Sequence, residues 1–179
     1  MPCTTMPARR FVGISGGGTV LKKYFCLILS MLSLLLTSCT FSQSNSEVSR
    51  LSFSLGLPLP KPIHVEHTDT HEGFHGDGTT WIQMEFSAVQ DKTLQEHFQN
   101  TEGWSSLPLP KPLDTFLYET QDSAALPQIS HGFWYFYDRH EESRNRFSCQ
   151  ELFQRHSFNF NFAIYDADSH ILYYLEFDT

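Results

Sequence analysis

Between Phe158 and Phe177 the chain alternates with a period of two on both sides of a short turn. Phe158, Phe160, Phe162 and Ile164 alternate with Asn159, Asn161, Ala163 and Tyr165, and Ile171, Tyr173, Leu175 and Phe177 alternate back. Successive side chains of a strand point to opposite faces, so this pattern demands extended chain. The intervening Asp166-Ala167-Asp168-Ser169-His170 is rich in turn formers. A C-terminal antiparallel β-hairpin is predicted. A hairpin is marginal alone in water, so other elements must pair with it and cover it.

The rest of the chain supplies them. Gly132-Phe133-Trp134-Tyr135-Phe136-Tyr137 reads as a strand, Thr79–Ser87 alternates as a half-buried one, and Ile63–Thr70 is a further candidate. Asp91–Asn100 places Leu94 and Phe98 on one helical face, and Glu141–Arg155 is a second helix candidate with Phe147, Leu152 and Phe153 inward. The expected class is α+β: an antiparallel sheet with one or two short helices packed on one face, ending in the hairpin. Residues 51–179 form the expected single domain. Leu57-Pro58-Leu59-Pro60-Lys61-Pro62 recurs as Leu107-Pro108-Leu109-Pro110-Lys111-Pro112. Proline makes both copies extended, and the repeat marks either an internal duplication or two linkers of like composition.

The first forty residues read as an address rather than a fold. Lys22-Lys23 precedes an uncharged apolar run, Tyr24–Leu36, which is short for a bilayer span and closes on Leu36-Thr37-Ser38-Cys39. This resembles the lipobox of bacterial lipoprotein signal peptides, and with Lys22-Lys23 the chain resembles small lipoproteins of Gram-positive bacteria. The resemblance implies a lipid on the Cys39 thiol, cleavage before Cys39, and an extracytoplasmic protein held to the membrane. Residues 1–38 are then the leader, with the signal peptide at about 21–38. Residues 1–20 do not fit that signal, and two translation starts suit the sequence, Met1 or Leu21. The serine-rich segment from Cys39 to Arg50 reads as a tether.

Charge and cysteine content narrow the function. The chain has 12 basic and 20 acidic residues; Arg9, Arg10, Lys22 and Lys23 precede Cys39, leaving 8 basic against 20 acidic beyond it, a net charge of −12. Such a surface repels nucleic acid. Of the four cysteines, Cys3 and Cys26 lie in the leader and Cys39 would carry lipid. Cys149 is left without an intramolecular partner and reads as a buried core residue.

The densest set of chemically capable side chains is His64, Glu66, His67, Asp69, His71, Glu72, His75 and Asp77. Imidazole and carboxylate suit zinc, and His67, His71, His75 and Asp77 are the candidate ligands. His71-Glu72-Gly73-Phe74-His75 resembles the H-E-x-x-H signature of zinc metalloproteases, with Gly78 at the glycine of its longer form. The resemblance implies His71 and His75 as ligands and Glu72 as general base. The motif needs a helix to bring positions i and i+4 together, whereas Gly73, Gly76 and Gly78 disfavour one and Trp81 stands at the third ligand position. The same residues read equally as a polar hairpin loop. Asp138-Arg139-His140-Glu141-Glu142 reads as a polar strand end or a carboxylate–histidine group. Cys149 with His131, His140 or His156 would make a thiol nucleophile. Asp166-x-Asp168 departs from a calcium loop, because Ile171 stands where glycine is required. Trp81, Trp104, Tyr135 and Tyr137 would either stack on a sugar or peptide or pack in the core.

These readings converge on a lipid-anchored extracytoplasmic binding or accessory protein for a protein, peptide or glycan ligand. The alternative is a metal-binding protein or zinc-dependent hydrolase using His64–Asp77.

Overall fold

A computed structural model describes residues 46–71, 76–120 and 126–179. Its centre is a six-stranded antiparallel sheet in the order β1-β2-β6-β5-β4-β3. The strands are β1 (His64–Asp69), β2 (Gly78–Glu85), β3 (Trp104–Ser106), β4 (Gly132–Asp138), β5 (Asn159–Asp166) and β6 (Ile171–Asp178). The fold is α+β, and the predicted C-terminal hairpin is β5–β6, with Phe162 opposite Leu175. Its turn is closed by Asp166, which accepts from the Asp168 N–H at 2.9 Å and the Ser169 hydroxyl at 2.7 Å. β6 lies between β5 and β2, so the last strand joins the two halves of the sheet.

The sheet is apolar on both faces, because alternate residues of its inner strands feed two separate clusters. On one face Ile82, Met84, Phe133, Tyr135, Ala163, Tyr165, Leu172 and Tyr174 meet two helices. Residues 46–54 form the first, α1. Leu51 and Leu55 are fully buried on it, and Val48 packs beside them. The second, α2 (Ala88–Asn100), buries Leu94 and Phe98. Its start carries the Ser-x-x-Gln signature: Gln90 Oε1 accepts from the Ser87 N–H at 2.9 Å and the Ser87 hydroxyl at 2.8 Å. Asp91 then accepts from the Tyr165 hydroxyl at 2.7 Å, pinning α2 to the sheet.

On the opposite face Phe136, Phe160, Phe162, Ile164, Tyr173 and Leu175 are covered by Leu113, Phe116, Leu117, Cys149 and Leu152. Leu113 belongs to α3 (Lys111–Thr115), and a π-turn over Phe116–Thr120 continues it. So α1 and α2 share one face and a third helical segment covers the other, whereas the sequence pattern places its two predicted helices, of which only α2 is present, on one face.

Three readings need correction. Residues 46–50, assigned to the tether, are helical and anchor α1; the serines mask a Val48, Leu51, Leu55 spacing that suits one helical face. Glu141–Arg155 is not a helix: only Leu152–Gln154 forms a 3₁₀ turn. The reason is topological. Phe147 packs on Tyr135 and Tyr137 of one sheet face, whereas Cys149 and Leu152 enter the cluster on the other. A chain serving both faces must wrap the sheet edge, and local turns at Ser143, Asn145 and Ser148 let it do so. Lastly, the repeated hexapeptide has no structural echo. Leu57 and Leu59 are buried in the α1/α2 cluster, whereas Leu107 and Leu109 pack on the opposite cluster, where Lys111-Pro112 opens α3.

Candidate functional site

The first-ranked sequence candidates lie along β1 and its hairpin. His64 meets only Glu66, at 3.2 Å on an exposed strand, and His67 Nδ1 lies 3.5 Å from Glu47. His71 follows β1, and both of its ring nitrogens face carboxylates: Nδ1 is 2.6 Å from Asp69 Oδ1 and Nε2 is 3.2 Å from Asp178 Oδ2. Gly78 serves close approach of the hairpin arms, since a Cβ there would lie 2.6 Å from His71 Cα. Trp81 packs on Tyr173 with ring centroids 6.0 Å apart. Asp77 is exposed, and Glu72 and His75 lie outside the described residues, as does Cys39. Among the described residues no group of three or more His, Cys, Asp or Glu is placed to hold a metal ion.

The hydrogen bonds that the His71 ring donates to Asp69 and to Asp178 raise its pKa against the opposing effect of burial. A raised imidazole pKa contributes stability that is complete below the unfolded value of about 6.5 and fades as pH rises through the folded value. His71→Gln is therefore expected to lose more stability than wild type in mildly acidic buffer and to approach wild type in alkaline buffer. Urea midpoints of both proteins across that range check it; a deficit independent of pH contradicts it.

The other candidates are structural. Asp138 is 2% exposed at the end of β4. Its carboxylate takes Arg155 as a fork, Nη2 to Oδ2 at 2.7 Å and Nη1 to Oδ1 at 3.2 Å, and accepts the His140 N–H at 3.0 Å. Burial pushes that carboxyl up, but Arg155 and the other donors outweigh it and hold the pKa below the ordinary range. Cys149 is a free, buried thiol whose pKa burial pushes up, the opposite of nucleophile activation. Trp104 and Tyr135 are core residues, 9% and 4% exposed.

A site invisible in the linear pattern lies where α1 and α2 end. Gly56, at φ 67°, closes α1: the Gly56 N–H donates to the Phe53 carbonyl at 3.3 Å and the Leu57 N–H to the Ser52 carbonyl at 3.1 Å. That is the six-to-one and five-to-two pair by which a left-handed glycine satisfies terminal carbonyls. The next two carbonyls are satisfied from the sheet. Tyr135 Oη donates to Ser54 O at 3.2 Å, and Trp104 Nε1 donates to Leu55 O at 3.3 Å.

Beside this junction opens a groove of about 670 Å³, lined by residues 53–56, by Asn100, Thr101 and Glu102 at the end of α2, and by Tyr135, Tyr137, Phe147 and Asn161. Phe147 stands edge-on to both tyrosines, at 6.1 Å from Tyr135 and 5.5 Å from Tyr137. Gly103 leaves room for that ring, since a Cβ there would lie 2.5 Å from Phe147 Cε1. Phe53 forms part of the lining and is 90% exposed.

Asn161 is the unusual member. Strand register sets Asp69, Thr80, Glu176, Asn161 and Tyr137 in one row across the sheet. The α-covered face changes here from apolar to polar. Asn161 is 7% exposed, and its Oδ1 has no hydrogen-bond partner. Buried amide oxygens are nearly always paired, because an unpaired one costs about 1–3 kcal/mol. Next to it, Arg50 joins Glu47 and Glu176, and Arg139 joins Glu176 and Asp178, all at 3.3 Å or less.

Comparison with protein-family models, with curated proteins and with solved structures finds no match. The functional reading therefore rests on this geometry and on the sequence pattern of residues 22–39.

Proposed function

We infer that this chain is a membrane-anchored extracytoplasmic lipoprotein, and that its domain is a non-enzymatic binding protein using the groove at the ends of α1 and α2. The observation that carries the binding reading is Asn161, a nearly buried amide with a vacant acceptor on the wall of an aromatic groove. A groove of several hundred Å³ that sets aromatic rings beside polar groups, as Tyr137 and Phe147 lie beside Asn161 and Glu102, is a common place for recognition. The location rests on Leu36-Thr37-Ser38-Cys39 behind Lys22-Lys23.

The test is a ligand screen read at the groove. The full chain, labelled with ¹³C on its aromatic rings, is titrated with amino-acid amides, monosaccharides and short peptides. Binding is expected to shift Tyr135, Tyr137 and Phe147 together and to leave Trp81 still. Shifts spread evenly over the surface, or confined to other residues, would overturn the assignment of the site.

A further inference from the structure

We propose that the groove takes a primary ammonium or guanidinium group carried on a basic polypeptide segment. The proposal rests on the groove being the binding site and deepens that reading by naming the ligand chemistry.

The groups that line the groove are negative or electron-rich. Two helices end there, α1 at residues 53–56 and α2 at Asn100 and Thr101. The carbonyls that close α1 are taken by Gly56, Leu57, Tyr135 and Trp104, and those of Glu96 and His97 in α2 by Asn100 and Thr101, so the helix ends add only a residual negative dipole. Glu102 adds a full carboxylate. Tyr137 and Phe147 add rings, whose quadrupole attracts ammonium and guanidinium groups, while Tyr135, 4% exposed, is packed against Trp104 and Phe147. Asn161 Oδ1 is a nearly buried acceptor that lacks a donor.

Three donors of the same lining are turned away from a ligand. Tyr135 Oη donates to Ser54 O, Asn100 Nδ2 to Glu96 O at 2.6 Å, and Thr101 Oγ1 to His97 O at 2.8 Å. An anion only accepts, so it gains nothing from these three. A cation with N–H groups only donates. Two neighbouring cations are balanced by carboxylates: Arg50 is held by Glu47 and Glu176, and Arg139 by Glu176 and Asp178. Arg146 keeps its charge, with its guanidinium turned to the carbonyls of Asp138 and His140.

Two observations favour a peptide over a free amine. The groove, at about 670 Å³, is far larger than one ammonium group, and Phe53 lies exposed in its lining as apolar surface for an aliphatic stem. The net charge of −12 beyond Cys39 would draw a basic partner toward the domain.

The experiment is calorimetric titration of the full chain with three probes. They are a short peptide of alternating lysine and glycine, the same peptide acetylated on every Nε, and n-butylammonium. The lysine peptide is expected to bind, and acetylation to weaken it about tenfold or more, since it removes charge and N–H donors together. Glu102→Gln, a change at an exposed position, is expected to weaken binding about two- to fivefold. Tyr137→Leu keeps apolar bulk but removes a ring, and the expected loss is about three- to fivefold.

Equal binding of the acetylated peptide would overturn the cation proposal. So would lysine-peptide binding indifferent to both variants, which would place it elsewhere on the acidic surface. Butylammonium binding as tightly as the peptide would overturn the polypeptide part and name a free amine. Failure of the lysine peptide while a neutral compound shifts Tyr137 and Phe147 in the aromatic screen would reject the cation and keep the groove. Failure of every probe at the groove would reject the groove itself.

Discussion

Phe98→Ala is expected to lower the unfolding free energy by about 3–5 kcal/mol. Phe98 is 1% exposed on α2, and its ring lies 4.2 Å from Trp104, 5.0 Å from Tyr165 and 5.6 Å from Phe133. The substitution removes buried surface, leaves a cavity and breaks three ring contacts at once, each worth about 0.5–1.5 kcal/mol. Domains of this size are stable by about 5–15 kcal/mol, so the loss is a large share. It also loosens Trp104, whose indole N–H caps the end of α1. Groove binding and stability should therefore fall together in this variant. Phe53→Ala, at a 90% exposed position, is the control; its stability should stay within about 0.5 kcal/mol of wild type. Urea midpoints of the two variants check the pair, and equal losses would contradict the assignment of Phe98 to the core.

Asp138→Asn should cost about as much, about 3–5 kcal/mol, for a different reason. The substitution leaves Arg155, with its side chain only 11% exposed, facing no counter-charge, and Arg155 Nε is already without a partner. Removing one member of a buried pair exposes the full desolvation cost of the other. Arg155 belongs to the chain that wraps the sheet edge, so the loss falls on residues 139–158. The Asp138 N–H bond to the Arg146 carbonyl, at 2.7 Å, holds that same segment to β4. Replacing both residues with apolar ones of like volume, Asp138→Leu with Arg155→Met, should recover much of the stability. A double variant as unstable as the single one would contradict this account. The pH trend has the opposite sign to that of His71. A carboxyl held below its ordinary value contributes stability above about pH 4, lost as pH falls through the folded value.

Five strands of the sheet were readable because they are long enough to show a pattern, whereas β3, three residues at Trp104–Ser106, was not. The β5–β6 hairpin buries a row on each face, so every second residue from Phe160 to Leu175 is constrained. The α2 helix was readable from Leu94 and Phe98, but it starts at Ala88, behind Ser87 and Gln90, and not at the expected Asp91. What the sequence hid was non-local. Nothing along the chain says that Glu141–Arg155 must serve both faces of a sheet, and that requirement outweighs its helical spacing. Asn161 sits in an alternating strand where a polar residue reads as solvent-facing. It is buried because α1, more than a hundred residues earlier, ends over its row. The groove draws on α1, α2, β4, β5 and the 139–158 segment, so no linear motif could carry it. The histidine cluster was dense in sequence, and its described members His64, His67 and His71 each lie beside a carboxylate.

The central claim is a binding domain held at a membrane by Cys39, and the most direct test is the mass of the mature N-terminal peptide. Protein made in a bacterial host would be extracted from membranes, digested and analysed by mass spectrometry. The expected product begins at Cys39 and carries a diacylglyceryl thioether, and Cys39→Ala moves the protein out of the membrane fraction. A mature peptide that runs through Ser38-Cys39 with a free thiol, or a chain equally membrane-bound after Cys39→Ala, would contradict the account.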